Sequence, residues 1–274
     1  MGASLVKEFL IRGCRMKVTI AGEGPTLLLV HGFPLNHQMW RHQIDFFSKT
    51  MQVVAPDLRG FGNSSVDDAE QITMQDYAAD LVELIETLAP VAPVTFCGLS
   101  MGGYIGWQLL ATHGHLVDSL ILTNTRSGAD DEKTARGRRL LAGQVLKHGI
   151  RELAYQMPLK LLSSESEDGL EAELRAVIAA CDPRSVAAAQ LGMSVRPNMS
   201  GMLSEIAQPT LVVCGTDDVI TPPEEMREMA CQISNASYVE IPSAGHMSPL
   251  EQPEKFNAAV DSFLRKCRGK CSGS

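Results

Sequence analysis

Gly98-Leu99-Ser100-Met101-Gly102 follows directly on an apolar block that ends at Cys97, and it runs into a helix-like segment, Met101 to His113. A serine at a sharp strand-to-helix turn takes a strained backbone conformation, and glycines two residues to either side let the chain fold back closely. Ser100 would then stand exposed above a sheet. A serine hydroxyl is a weak nucleophile until a neighbouring base takes its proton, so this reading requires a histidine downstream.

His246, in Ser243-Ala244-Gly245-His246-Met247, meets that requirement: it follows the final strand block, Ser237 to Ile241, on a loop of small residues. His37, His42, His113, His115 and His148 sit in or beside helix-like segments, where a solvated or packed ring is the ordinary outcome. A third group must hold one imidazole nitrogen so that the other can accept the serine proton. Asp217 and Asp218 compete for this role after the strand block Thr210 to Cys214; Asp218 is preferred, with Asp217 as a surface or turn-capping residue.

His31-Gly32-Phe33-Pro34 ends another apolar block, Leu27 to Val30. It would bring the Phe33 amide beside Ser100, and with the Met101 amide at the positive end of the following helix this could hold an oxyanion. His31 itself reads as a structural residue that holds the turn. The Asp57 to Ser64 stretch, with an aspartate and an arginine in a Gly-rich turn, also reads as structural support.

Further strand blocks lie at Arg15 to Ala21, Thr26 to His31, Met51 to Ala55, Pro93 to Gly98 and Ser119 to Thr123. Several are nearly continuous apolar runs, as expected of strands covered on both faces of a parallel sheet. Helical patterns alternate with them. Thr73 with Asp76 forms a capping signature before an apolar stripe of Tyr77, Leu81, Leu84, Ile85 and Leu88, and Pro253 opens a helix expected to reach Lys266. From Arg126 to about Ile206 strand blocks stop and helical spacing takes over. The expected division is a core of residues 1–125 and 208–268, an all-helical insertion over 126–207, and a disordered tail at 269–274.

With 24 basic against 32 acidic residues and a formal charge of −8 among 274 residues, nucleic acid is not an expected partner. Nor is a membrane, because no apolar stretch approaches the length of a span and the first ten residues lack a leader pattern. Seven cysteines without CxxC spacing read as reduced thiols in a cytoplasmic protein, with Cys97 and Cys214 as core residues. No metal-ligand motif or phosphate loop is present, so neither metal nor cofactor is expected.

Taken together, HGFP at 31–34, DLRGFGNS at 57–64, GLSMGG at 98–103, GTDD with TPP at 215–223 and AGHMSPLEQPEKF at 244–256 resemble the α/β-hydrolases. The likeness is to small bacterial carboxylesterases and 3-oxoadipate enol-lactonases, and it spans most of the chain. It implies a mostly parallel central sheet flanked by helices with an inserted helical cap, and a triad in the order serine, acid, histidine. In that family the acid lies three residues after the glycine that ends its strand, which corresponds to Asp218. The cap covers the pocket and selects substrates; Phe33, Trp40, Met157, Leu161 and Met247 are candidates for the pocket wall, while Leu141 and Leu162 are among the residues expected mainly in the cap's own core.

The expected reaction is cleavage of a small or medium carboxylic ester through an acyl-enzyme. The same triad could open an enol-lactone, or serve a C–C hydrolase, a perhydrolase or a lyase, and a non-catalytic receptor built on the scaffold is the remote alternative. Fold and triad do not set the substrate. A monomer and a homodimer are equally compatible with the sequence.

Overall fold

Residues 4–66 and 68–271 are described by the computed structural model. Eight strands form one sheet: β1 (Leu5–Ile11), β2 (Cys14–Ala21), β3 (Thr26–Val30), β4 (Gln52–Pro56), β5 (Val94–Leu99), β6 (Val117–Thr123), β7 (Thr210–Gly215) and β8 (Ala236–Ile241). Their spatial order is β1-β2-β4-β3-β5-β6-β7-β8. β1–β2 and β2–β4 pair antiparallel, and the remaining pairs are parallel.

The apolar runs are explained by what covers them. Leu28 and Val30 belong to one hydrophobic cluster with residues of α2 (Met74–Leu88) and α3 (Met101–His113), among them Tyr77, Leu81 and Ile105. Leu27 and Leu29 belong to a second, with Ile44 and Phe47 of α1 (Arg41–Phe47) and Phe256, Val260 and Phe263 of α11 (Pro253–Cys271). Successive strand residues point to opposite faces, so a sheet covered on both sides needs apolar residues at nearly every position. Cys97 and Cys214 are two of these buried residues, and burial pushes the Cys97 thiol up to about 12.

Thr73 and Asp76 make the reciprocal capping bonds that start α2. α11 continues past Lys266 to Cys271, so residues 269–271 of the expected disordered tail are helical; residues 272–274 lie outside the described residues. β1 was absent from the sequence reading. It is an edge strand whose first four residues are exposed, joined to β2 by a tight turn in which Arg12 and Gly13 both have positive φ, 43° and 79°.

Between β6 and β7 come α4 (Glu132–His148), α5 (Arg151–Gln156), α6 (Pro158–Leu161), α7 (Leu170–Ala179) and α8 (Pro183–Ser194), followed by a 3-10 turn over Ser200–Glu205. The two ends of this helical insertion are fastened together. Met199 N–H donates to the Ser127 carbonyl at 2.8 Å, and Arg196 Nη2 donates to the Gly128 carbonyl at 3.0 Å. Asp130, almost wholly buried, pairs with both Arg196 and Arg138. The Arg196 guanidinium also lies 4.1 Å from the centre of the Tyr104 ring on α3, which ties the base of the insertion to the core. After β7 the chain forms α9 (Pro223–Cys231), and α10 (Ser248–Glu251) leads into α11. No helix among the described residues is long and apolar enough to cross a membrane.

Candidate active site

The loops that follow β3, β5, β6, β7 and β8 leave the carboxyl ends of parallel neighbours, where open α/β sheets place ligands. Ser100 stands between β5 and α3 with φ 53° and ψ −112°, a conformation that costs a non-glycine residue of order 1–3 kcal/mol and persists only where the surroundings impose it. The surroundings here are glycines. A Cβ on Gly102 would meet the Val30 carbonyl oxygen at 2.3 Å, and one on Gly98 would meet Gly102 at 2.6 Å. Gly32 lies so close to the turn that its Cβ would fall 2.7 Å from the Leu99 side chain and 3.5 Å from that of Ser100. Thr125 completes the clamp by donating its hydroxyl hydrogen to the Ser100 carbonyl at 2.7 Å.

His246 and Asp218 meet in a buried contact: His246 Nδ1 donates to Asp218 Oδ2 at 2.8 Å. An ionised carboxylate can only accept, so the ring hydrogen resides on Nδ1 and Nε2 is left as the proton acceptor. Asp218 is well supplied with donors. Its Oδ1 accepts from the amides of Ile220 at 2.8 Å and Thr221 at 3.0 Å, and its Oδ2 accepts from Asn124 Nδ2 at 2.7 Å and from the Thr221 hydroxyl. Burial pushes the carboxyl upward, but the charge of His246 and these hydrogen bonds outweigh it and hold Asp218 at about 2. Among the described residues no hydrogen bond joins Ser100 to His246; such contacts commonly tighten only when substrate is bound.

Met101 follows Ser100 in the chain, and Gly32, which precedes Phe33, lies against Ser100. The Met101 amide belongs to the first turn of α3, where a helix leaves its N–H groups without internal acceptors. Phe33 is set by a framework behind it. His31 Nδ1 donates to the Gly32 carbonyl at 2.9 Å, and its Nε2 accepts from the Leu58 amide at 2.9 Å. Burial pulls His31 down to about 4, so the ring is neutral, and the Phe61 ring meets His31 and Phe33 edge-on. Asp57 and Arg59 are likewise used internally: Asp57 accepts from His37 and Asn63, and Arg59 pairs with buried Asp80 at 2.7 Å.

The candidate wall residues separate. Met157 lines a cavity of about 640 Å³ in the helical insertion together with Leu141, Val145, Leu153 and Gln190; Ser100, Asp218 and His246 are not among its walls. Trp40 has no exposed surface and packs against Phe256 in the core, with ring centres 6.1 Å apart. Met247 and Leu161 are also buried, and Leu161 acts through its backbone: its carbonyl accepts from the His246 amide at 2.8 Å. Gly245, just before His246, is held by close packing and not by an unusual backbone conformation. Its φ is not positive; instead a Cβ there would lie 2.7 Å from the Ser163 nitrogen, because the insertion rests directly on it.

Sequence reasoning missed Asn124, with φ 45°, which donates to Asp218 and to the Gly245 carbonyl at 3.3 Å while its own Oδ1 accepts from Ser248 at 2.7 Å. An asparagine after a strand is an ordinary turn signal, and only the fold shows what its amide reaches.

The model of the alpha/beta hydrolase family matches residues 27–259. A solved thermophilic esterase from Thermogutta terrifontis, with malate bound, is 35% identical and superposes with a TM-score of 0.92 over 96% of this chain and 99% of its own. The enol-lactonase from Burkholderia xenovorans LB400 is 28% identical with a TM-score of 0.87, over 94% of this chain and 100% of its own. Among curated proteins, the (E)-2-((N-methylformamido)methylene)succinate hydrolase of Acinetobacter baylyi is 31% identical over 252 residues, covering 89% of this chain and 91% of that protein.

Proposed function

Since the chain belongs to the alpha/beta hydrolase family, we propose that it is a serine esterase that cleaves carboxylic esters through an acyl-enzyme, with Ser100, His246 and Asp218 as its triad. The observation that carries this reading is the strained Ser100 at the β5–α3 turn, in a chain that also holds a buried Asp218–His246 pair with a free Nε2.

In the first step Ser100 Oγ attacks the ester carbonyl while its proton passes to His246 Nε2. The oxyanion lies against the amides of Phe33 and Met101, and removal of one such donor typically costs about 100- to 1000-fold in rate. The tetrahedral adduct expels the alcohol, which takes its proton from His246, and Ser100 is left acylated. Water then attacks the acyl carbon with His246 as base, which releases the acid and restores the serine. Asp218 holds the imidazole in place and stabilises its charged form. Every step uses side chains and backbone amides of this chain, and the helical insertion serves as a cap over the reacting bond.

The test is hydrolysis of nitrophenyl esters from acetate to decanoate by wild type and Ser100→Ala. Loss of about 1000-fold or more in the variant supports the triad. Equal rates from the two proteins overturn it. The likeness to an enol-lactonase supports a second reading with the same chemistry on a lactone. Activity on 3-oxoadipate enol-lactone far above that on every simple ester would select it.

A further inference from the structure

One buried carboxylate outside the triad gathers four donors from two parts of the chain. Glu251 Oε1 accepts from the amides of Gly245 at 2.9 Å and Met247 at 3.0 Å, the residues on either side of His246. Its Oε2 accepts from the Ser163 amide at 2.7 Å and the Ser166 hydroxyl at 2.5 Å, both in the segment after α6. Ser163 reaches the other triad-bearing loop as well. Its hydroxyl donates to Asp217 Oδ2 at 2.6 Å, next in sequence to Asp218. The His246 amide itself donates to the Leu161 carbonyl.

We propose that Glu251, Ser163 and Asp217 form a clasp through which the docked cap sets the position of His246 against Asp218 and Ser100. Glu251 is the central positioning residue, and it touches no substrate. The proposal rests on the serine-hydrolase reading above. Physically, an imidazole on a loop of small residues has little of its own to fix it, yet a misplacement of about 1 Å in a reacting group can cost 100-fold. Here each amide from Gly245 to Met247 is engaged, two by one carboxylate and the middle one by the cap backbone. The close approach of Ser163 to Gly245 leaves no space for water or a side chain between them. A charged acceptor shared by four donors binds them more firmly than neutral pairs would. The cap segment 161–166 is therefore part of the scaffold of the base.

The experiment is the rate of Ser100 acylation by a fluorophosphonate probe, which reports nucleophile activation without a known substrate, beside the Tm of each protein. Glu251→Gln presents an amide hydrogen pair where an acceptor is needed. It is expected to slow acylation at least tenfold at a temperature where it remains folded. Ser163→Ala and Asp217→Ala, which leave the Glu251 bonds in place, are expected to slow it about three- to tenfold, and the double variant no further than the stronger single, because each removes the bond between Ser163 and Asp217. Arg41→Ala breaks a surface ion pair to Glu173 elsewhere on the cap and is the control, with an unchanged rate. A wild type that labels, with Ser163→Ala and Glu251→Gln labelling equally fast, overturns the clasp alone. So does Arg41→Ala slowing the reaction as much as Ser163→Ala. A wild type that does not label overturns the hydrolase reading, and the clasp's role falls with it.

Discussion

Asn124 Nδ2 donates to Asp218 Oδ2 at 2.7 Å, on the same oxygen that accepts from His246. The amide thus fixes the carboxylate oxygen on which the imidazole depends. A hydrogen bond to a charged group contributes about 1.5–3 kcal/mol. Asn124→Ala is accordingly expected to lower kcat by about ten- to a hundredfold with KM little changed, measured by steady-state ester hydrolysis. An unchanged kcat would show that the other donors suffice.

Asp218→Asn should be far more damaging. An amide NH₂ facing Nδ1 turns the ring to the tautomer with hydrogen on Nε2, which cannot take the serine proton. The expected loss is about 10,000-fold in kcat at neutral pH. A loss below tenfold would remove Asp218 from the triad.

Gly102→Ala tests the packing that imposes the turn at Ser100. Its Cβ would approach the Val30 carbonyl oxygen to 2.3 Å, a backbone atom that cannot swing aside. Overpacking of this kind costs about 1–3 kcal/mol or more. The variant should show a lower urea midpoint and slower probe labelling together. Loss of stability with a normal labelling rate would mean that the turn does not depend on this approach.

His31 predicts a pH dependence of folding. Its value falls from 6.5 to about 4 in the native protein through burial, so between those limits the unfolded chain binds a proton that the folded one refuses. Stability therefore rises with pH across this window, by about 3 kcal/mol in total, and this contribution is absent below about pH 4. Urea titrations at pH 4.5, 5.5 and 6.5 should show a shallower rise for His31→Gln than for wild type. Parallel curves would contradict the assignment.

Asp130 carries two arginines at the base of the cap with only 1% of its side chain exposed. Asp130→Ala leaves Arg196 buried without its partner, which costs about 3–5 kcal/mol. Limited proteolysis should then cut within residues 126–207 faster than in wild type, and a cleavage rate equal to wild type would refute the role.

Much of this was legible in the sequence because it was local. Apolar runs between turns marked seven of the eight strands, and strand-turn-helix context marked Ser100. β1 was not legible, since its side chains are mostly exposed and its pairing is all that makes it a strand. Asp218 and His246 were found through the loops that carry them, yet the distances that join them come only from the fold. Ser163 left no signal, and Glu251, though inside the 244–256 motif, gave none of its role: the two are 88 residues apart, and a glutamate near a proline-started helix looks like an ordinary solvated residue. Trp40 was misplaced for a related reason, as it has the size of a pocket residue but the surroundings of a core one.

The contact of Ser163 with Gly245 bears on how such a cap can be exchanged. On the proposed reading, helices α4, α5 and α7 can be grafted from a relative to alter what is bound, whereas α8 lies directly on the core, its Ala188 carbonyl accepting from the Ile72 amide. Residues 161–166 cannot travel with them unless the graft restores a serine opposite Glu251 and a backbone that lies flat on a glycine. Chimeras cut on either side of this segment would keep turnover while selectivity changes; those that replace it would need the histidine loop redesigned as well. On the proposed reading, the boundary between the part that would choose the substrate and the part that would transform it thus runs through the insertion itself.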